Sequence, residues 1–238
     1  GNMNENLTYE INHKATVELG RKAKEAGVKR FVFASSCSLY GQGGDKPLTE
    51  EDQSNPQTAY GKAKIMAEND LRPLADENFS PVYLRNATAF GLSPRMRFDI
   101  VANSLTGFAK TTGKIQILGD GTPWRPLVHI KDISRVNVAV LKADRDVIHN
   151  QAFNVGSSKE NYQIKEIAEK IKQEYYPLCE VTIAQKDSGD TRNYIVSFDK
   201  LQRVLGFNTQ ISLTEGIVEM GKAYDEAALS DEGFNHRD

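Results

Sequence analysis

Short apolar segments alternate with amphipathic segments along the chain. The stretches VKRFVFASS, SPVYLRNATAFG and AFNVG are rich in β-branched and aromatic residues, which is typical of buried strands. Before the first of them, apolar residues recur every four positions from Leu7 to Ala23, and Gly27 follows where a helix would end. Strands that alternate with helices build βαβ units, so the sequence predicts an α/β fold around a mainly parallel sheet.

The rest of the chain continues this alternation. Residues 41–58 are expected to form a loop, near whose end Asn55 caps a helix with Pro56 at its first position. That helix carries TAYGKAKIMAENDL, and Asp132 is expected to cap a later helix over DISRVNVAVLKA. Further strands are predicted over 114–118, 126–130 and 181–185, and further helices over 100–110, 162–175, 198–205 and 213–227.

Composition excludes several classes of protein. The chain has 238 residues, of which 39% are hydrophobic, enough for a substantial core. Its 30 basic and 32 acidic side chains give a net charge of −2, which argues against a nucleic-acid partner. The apolar runs are too short to cross a membrane, and no signal-peptide pattern opens the chain. The two cysteines, Cys37 and Cys179, lie far apart, so we expect a reducing compartment and a cytoplasmic location.

Tyr60 and Lys64 are four residues apart in a predicted helix, so both side chains leave from one face. A free tyrosine has a pKa near 10, so it needs a shift of about 3 units, or about 4 kcal/mol, to act as a base near pH 7. A nearby ammonium supplies part of that shift, and a cationic nicotinamide ring would supply more. Ser36 ends a predicted parallel strand, which is where open α/β sheets place their ligands.

Taken alone, a tyrosine and a lysine at this spacing are most often a solvated pair on a helix surface. The order of the segments is more specific, because the strand with its hydroxyl cluster, the NP loop, the Tyr–Lys helix and a second strand follow one another. With this order the chain resembles the extended short-chain dehydrogenase/reductase family, in particular its nucleotide-sugar epimerases and dehydratases. The matching segments are INHKAT, FVFASSCSLYG, NPQTAYGKAKIMAE, RNATAFG, ILGDGTPWRPLVHIKDIS, AFNVGSS and SFDKLQRVLGF.

The resemblance implies a partial Rossmann-type parallel sheet with a smaller C-terminal α/β lobe that binds the substrate. Residues 1–93, with the segments around 127–157, would belong to the dinucleotide-binding domain, and residues 94–126 and 158–238 to the substrate lobe. The family's opening strand, G-x-x-G-x-x-G turn and helix, which hold the cofactor pyrophosphate, do not occur in this sequence. We therefore expect about three βα units, roughly 90 residues, upstream of Gly1, and weak NAD binding and association for the present chain alone.

The roles of the site residues follow from the resemblance, position by position. Tyr60 corresponds to the catalytic base, Lys64 to the residue that holds the cofactor ribose and lowers the pKa of Tyr60, and Ser36 to the residue that orients the sugar hydroxyl. Asn12 matches a buried helix asparagine that helps to fix the backbone of the site. Ser35 is either a cofactor contact or a residue that satisfies the strand end. The implied cofactor is NAD, with NADP as an alternative, and its predicted contacts are Asn12, Ser35, Tyr60, Lys64 and Thr88.

A nucleotide sugar carries a diphosphate, for which arginine forks are well suited. By the resemblance Arg125 binds this diphosphate, Asn103 binds the substrate together with Ser104, and Arg192 lies near a second basic position. The other basic residues expected near the site are Arg95, Arg97 and Lys186. For each of these arginines the alternative is an ordinary surface residue. Trp124 and His129 are predicted to be packed, and no group of side chains has metal-ligand spacing, so we expect no metal.

Cys37 and Ser38 favour epimerisation over dehydration. The resembling dehydratases carry an acidic pair directly after the catalytic hydroxyl, because elimination of water needs an acid and a base, and Cys37 and Ser38 stand at those positions. We therefore predict an NAD-dependent nucleotide-sugar epimerase that works by reversible hydride transfer through a keto sugar. A dehydratase, reductase or decarboxylase of the same family and a non-catalytic nucleotide-sugar-binding module stay open. The full-length protein is expected to be a homodimer.

Overall fold

The computed structural model describes residues 4–44, 46–184 and 189–227, which form a mixed α/β structure. A π-helical segment (Glu10–Ala15) joins the first two helices of the chain, and 3-10 turns occupy Cys37–Leu39 and Arg72–Leu74. The strands are β1 (Arg30–Ser36), β2 (Ser80–Asn86), β3 (Thr88–Phe90), β4 (Lys114–Leu118), β5 (Trp124–His129), β6 (Ala152–Val155), β7 (Asn161–Gln163) and β8 (Glu180–Ala184). The helices are α1 (Glu5–Tyr9), α2 (Thr16–Glu25), α3 (Ala59–Leu71), α4 (Val101–Thr112), α5 (Ile130–Lys142), α6 (Arg145–Ile148), α7 (Ile164–Glu174), α8 (Asp199–Leu205) and α9 (Leu213–Glu226).

The first sheet has the strand order β1-β2-β6, and both pairings are parallel. Phe33 and Tyr83 pack on one face of it with Leu71 of α3. On the other face Leu84 packs in the same cluster as Val140 of α5. Helices lie on both faces of this sheet, and the central residues of its strands, 31–34, 81–84 and 152–153, are apolar. The parallel sheet predicted from the sequence is present.

A second hydrophobic core lies among α4, α7 and α9. One sheet here has the order β3-β5-β7, in which β5 runs parallel to β3 and antiparallel to β7, and β4 pairs with β8 in parallel. Ile115, Ile167 and Ile217 are fully buried in this core. Within the described residues no helix has the length and apolar character needed to cross a membrane.

Residues 194–207, which the sequence assigns to the substrate lobe, include side chains that pack in the first core. Tyr194, Val196, Phe198 and Leu201 belong to the first core and not to the second. The physical reason is that α8 packs against β6, while Leu48 and Val196 form an isolated parallel bridge beside it. The C-terminal third of the chain therefore contributes to both cores.

Two predicted helix starts are wrong. Helix α3 begins at Ala59, and Thr58 caps it, because the Thr58 hydroxyl accepts a hydrogen bond from Gly61 N at 3.1 Å. Asn55 instead donates its backbone N–H to Leu39 O in the preceding turn. Helix α5 is capped by His129, and Asp132 lies inside the first turn. The buried Asp132 carboxylate accepts from the backbone N–H groups of residues 210 and 211, so it fastens a loop that is distant in sequence.

Candidate active site

The carboxyl end of β1 and the first turn of α3 bring Ser36 and Tyr60 together. Ser36 is the last residue of β1, and its hydroxyl oxygen accepts a hydrogen bond from Ser38 N at 3.2 Å. The Ser36 side chain lies close enough to the phenol of Tyr60 to favour its phenolate. Tyr60 is 37% exposed, so an incoming ligand can reach its phenol. A substrate hydroxyl can therefore contact both oxygens at once.

Lys64 lies one helical turn beyond Tyr60, on the same face of α3. Its ammonium donates to Ala34 O at 2.9 Å, and it lies 4.7 Å from the ring centroid of Phe33 and 5.4 Å from that of Tyr60. Lys64 is only 9% exposed. The three residues that the sequence places in the reaction are thus neighbours in the structure.

The pKa of Tyr60 lies above its ordinary value, because partial burial disfavours the phenolate. The nearby Ser36 side chain and the charges of Arg97 and Arg192 oppose this effect. Burial lowers the pKa of Lys64. The sequence prediction that Lys64 lowers the pKa of Tyr60 stays a prediction. Arg97 and Arg192, which the sequence did not connect with the phenol, favour the phenolate.

Gly61 allows α3 to approach the turn that follows β1. A Cβ atom at Gly61 would lie 2.8 Å from Ser38 O and 3.1 Å from the Pro56 side chain. Real Cβ atoms essentially never come within 3.0 Å of such a neighbour, and a backbone carbonyl cannot move away cheaply. The glycine beside Tyr60 is therefore required by packing, and it fixes how near the phenol comes to Ser36.

Two buried oxygens at this end of the sheet lack a hydrogen-bond partner among the described residues. They are Ser38 Oγ and Asn86 Oδ1. Asn86 ends β2 and pairs in register with Ser36, and its amide nitrogen lies 3.4 Å from Ser35 O. Buried polar atoms without partners are rare in native proteins, so they mark a place where a polar ligand group fits. A nicotinamide ribose with its hydroxyls fits such a place beside Lys64. Sequence analysis missed Asn86, although it stands at a strand end.

The other predicted cofactor contacts occupy three different environments. Asn12 lies in the π-helical segment, is half-buried, and donates to Thr8 O at 3.2 Å, so it is less buried than the resemblance implies. Ser35 is buried, and its hydroxyl donates to Glu68 at 2.5 Å. Thr88 opens β3, where it pairs with Leu127, and is half-buried. The role of each in cofactor binding stays a prediction.

Arg125, Arg192 and Asp190 form a compact charged cluster. Arg125 is 5% exposed, and its guanidinium donates to Trp124 O, to Arg192 O and to the Asp190 carboxylate at 2.8 Å. Arg192 donates to the same carboxylate at 2.8 and 2.6 Å. Burial alone would raise the pKa of Asp190, but the two arginines hold it well below its ordinary value. Both predicted diphosphate ligands are therefore held in one place, and Lys186 lies outside the described residues.

Asn103 holds the loop that carries Arg97. It is buried, accepts from Gly91 N at 3.1 Å, and donates to Arg97 O at 2.9 Å. Arg97 forms a bidentate pair with Asp99 at 2.9 and 2.5 Å, and both Arg97 and Arg95 are exposed. In this structure the Asn103 side chain supports the loop, and its predicted contact with substrate stays a prediction.

The sequence model of the NAD dependent epimerase/dehydratase family matches residues 2–156. The chain belongs to this family. The match spans β1, α3, β2 and β6, and so covers every residue of the Ser36, Tyr60 and Lys64 site. The family resemblance stated from the motifs is confirmed.

Single proteins and solved structures that resemble this chain include nucleotide-sugar epimerases. The chain is 26% identical over 226 residues to the UDP-glucose 4-epimerase of Halalkalibacterium halodurans, covering 89% of this chain and 67% of that protein. A solved structure of MoeE5 in complex with UDP-glucuronic acid and NAD is similar with a TM-score of 0.76 and 28% identity, over 91% of this chain and 71% of that one. A UDP-glucose 4-epimerase from Thermotoga maritima shares the fold, with a TM-score of 0.81 and 24% identity over 92% of this chain and 71% of that one. The chain spans about two thirds of the length of the curated relatives it matches.

Three further residues near the site differ in how deeply they are buried. Cys37 is 1% exposed, its thiol contacts Arg85 O at 3.0 Å, and burial raises its pKa. His129 is fully buried and pairs with Glu219 at 2.8 Å. Trp124 is half-buried at the start of β5. In the described residues no group of three or more His, Cys, Asp or Glu side chains is arranged to hold a metal.

Proposed function

We propose that the protein is an NAD-dependent nucleotide-sugar epimerase that works by reversible hydride transfer through a keto sugar. The observation that carries this proposal is the arrangement of Ser36, Tyr60 and Lys64 at the carboxyl end of β1. NAD, when bound, accepts a hydride from the sugar carbon and later returns it. The relatives that are UDP-glucose 4-epimerases support a UDP-hexose as the substrate.

Each residue has a defined task in this reaction. The Tyr60 phenolate would remove the proton of a sugar hydroxyl as the carbon gives up its hydride, so the sugar becomes a ketone that has lost one proton and one hydride. Ser36 holds the same oxygen, and Lys64 holds the ribose of the cofactor and adds positive charge near the phenol. After the keto sugar turns, Tyr60 would give its proton back to the same oxygen as the carbon regains a hydride on its other face. Because burial raises the pKa of Tyr60, the positive charge that arrives with NAD is part of its activation.

Arg125 and Arg192 are proposed to bind the substrate diphosphate. Both guanidinium groups donate to the Asp190 carboxylate, which therefore keeps them together. A diphosphate offers several acceptor oxygens and suits two planar forks. The smaller lobe, with residues 94–126 and 158–238, is proposed to carry this part of the substrate. Asn103 is proposed to complete it.

Dehydration is disfavoured by the surroundings of Cys37 and Ser38. The Cys37 thiol is buried against Arg85 O with a raised pKa, so it is a poor acid or base for a leaving hydroxyl. A reductase of the same family is the second candidate, because it would use the same three residues. A non-catalytic binding module has no need for Tyr60 and Lys64 in this arrangement.

We further propose that the protein is a cytoplasmic homodimer. Helix α1 and the π-helical segment pack against α3 and leave large apolar side chains exposed, an arrangement that suits a helix-to-helix interface. We call the residues concerned the apolar helix face; they are Leu7 at 53%, Ile11 at 57%, Leu19 at 61% and Met66 at 40% exposure.

A substrate panel tests the proposed reaction. The protein expressed from its complete reading frame is incubated with NAD and either UDP-glucose or UDP-glucuronic acid, and the sugar is followed by proton NMR. We expect the inverted epimer to appear from at least one of the two without net formation of NADH. A product that has lost water would instead identify a dehydratase, and stoichiometric NADH would identify a simple dehydrogenase.

A further inference from the structure

Two consecutive residues of β1 are hydrogen-bonded to successive turns of α3, just before Ser36 ends the strand. Ala34 O accepts from Lys64 at 2.9 Å, and Ser35 donates to Glu68 at 2.5 Å. Tyr60, Lys64 and Glu68 are spaced four apart and therefore lie on one face of the helix. The catalytic helix thus has a second attachment to the strand, one turn beyond the one that holds Lys64.

Glu68 is fully buried, yet its carboxylate has partners on both oxygens. Arg85 donates to it through Nε at 3.0 Å and through Nη2 at 2.8 Å, in addition to the bond from Ser35. Arg85 itself is 4% exposed and lies in the middle strand β2. A buried carboxylate is tolerated only when it is paired in this way. Such a pair is weak evidence for stability, because well-packed apolar residues often replace it without loss.

The charged pair belongs to a row that crosses the whole first sheet. Ser35, Arg85 and Asn154 are direct partners in the parallel register of β1, β2 and β6. Arg85 Nη1 donates to the Tyr40 hydroxyl at 3.1 Å, and that hydroxyl donates to Asn154 at 2.8 Å. Directional hydrogen bonds therefore connect the ends of three strands to one point on α3, and that point is Glu68.

We propose that Glu68 is a positioning residue that sets the place of α3 along β1, so that Tyr60 and Lys64 stay beside Ser36. Apolar contacts such as those of Leu71 hold the helix on the sheet but allow it to slide, whereas the bonds of Glu68 to Ser35 and Arg85 are made at one position only. The effect on turnover rests on the proposed function, and the placement itself does not.

Two variants remove the attachment without leaving a buried charge unpaired. Ser35→Ala deletes the bond from the strand and keeps the pair of Glu68 with Arg85. The double variant Glu68→Met/Arg85→Met replaces the pair by apolar side chains of similar length. Asp132→Asn is the matched control, since Asp132 is an equally buried carboxylate that fastens residues 210 and 211 away from the site. Urea unfolding shows which variants keep wild-type stability.

The readout is the Cζ resonance of Tyr60 in protein labelled with ¹³C-tyrosine, assigned with Tyr60→Phe, together with steady-state kinetics. We expect both test variants to move this resonance and to lower kcat about 10- to 100-fold, with KM for the nucleotide sugar changed about twofold or less. Asp132→Asn should lower stability and leave the resonance in place. Folded test variants with an unmoved resonance and wild-type kcat would overturn the proposal. If the wild-type protein has no epimerase activity, the proposed function is wrong. The Tyr60 Cζ resonance of the variants would still test whether Glu68 sets the place of α3 along β1.

Discussion

Among single residues, Arg125 is predicted to affect substrate binding much more than cofactor binding. Arg125→Ala removes one charge-assisted donor from the proposed diphosphate site, which costs roughly 1.5–3 kcal/mol of substrate binding. NAD binding should change much less, because Arg125 lies in the cluster with Asp190 and not beside Lys64. Titration calorimetry with UDP and with NAD measures both. Arg145→Ala is the control, since that guanidinium bonds Asp76 O away from the site; equal loss for both ligands would contradict the assignment.

Asp190 gives a prediction for pH. Its pKa is depressed in the folded state by Arg192 and Arg125, whereas an unfolded aspartate has a pKa of about 3.9. The carboxylate therefore stabilises the fold fully above about pH 4–5, and this contribution is lost as the pH falls through the folded pKa. Urea unfolding between about pH 7 and pH 3 should show a smaller fall in stability for Asp190→Asn than for wild type. Parallel curves for the two proteins would show that Asp190 is not coupled to the arginines in solution.

At the scale of elements, the contact between α3 and the turn after β1 depends on Gly61. Gly61→Ala places a methyl group 2.8 Å from Ser38 O, and relief of this contact requires the helix to move. We expect a loss of about 1–3 kcal/mol in the free energy of unfolding, and a larger relative loss of kcat, because Tyr60 moves with the helix. Gly44→Ala is the matched control, since a Cβ atom there meets nothing within 4 Å. Wild-type stability and turnover in Gly61→Ala would show that the contact is not tight.

The elements also show which features the sequence could reveal. Strands β1, β2 and β6 were predictable because burial on both faces leaves an apolar run in the sequence. The start of α3 could not be predicted. Asn55 and Pro56 carry the usual signal of a helix start, but the backbone N–H of Asn55 is hydrogen-bonded to Leu39 O in an earlier turn. Strand β7 reads NYQ and has no apolar alternation, so only its antiparallel partner β5 defines it.

The site residues also divide into those that the sequence could predict and those that it could not. Ser36, Tyr60 and Lys64 could be predicted, since each stands at a fixed place in a segment with a recognisable order. The π-helical segment around Asn12 and the unpartnered oxygen of Asn86 could not, because both depend on backbone geometry and burial that no local pattern encodes. The proximity of Arg97 to Tyr60 likewise depends on a loop that Asn103 holds from another element.

At the scale of the whole molecule, the apolar helix face tests the proposed dimer. Leu7→Glu and Ile11→Glu place charges on that face, and a buried unpaired charge is costly, so dimers should dissociate in light scattering. Val138→Glu is the control, because Val138 is 50% exposed on α5, away from this face. If Leu7→Glu and Ile11→Glu stay dimeric and Val138→Glu dissociates, the interface lies on α5 and the proposed one is wrong.

The central claim is that Tyr60 is the base of a reversible hydride transfer. The most direct measurement compares Tyr60→Phe with Tyr175→Phe, which removes a phenol hydroxyl bonded to Asp225 in the second core. Epimer formation by the full-length protein is followed by NMR, and UDP-sugar binding by calorimetry. We predict that Tyr60→Phe lowers turnover by about 10²–10⁴-fold while substrate affinity stays close to wild type, and that Tyr175→Phe keeps its turnover. A folded Tyr60→Phe protein that epimerises its substrate at a near-normal rate would contradict the account.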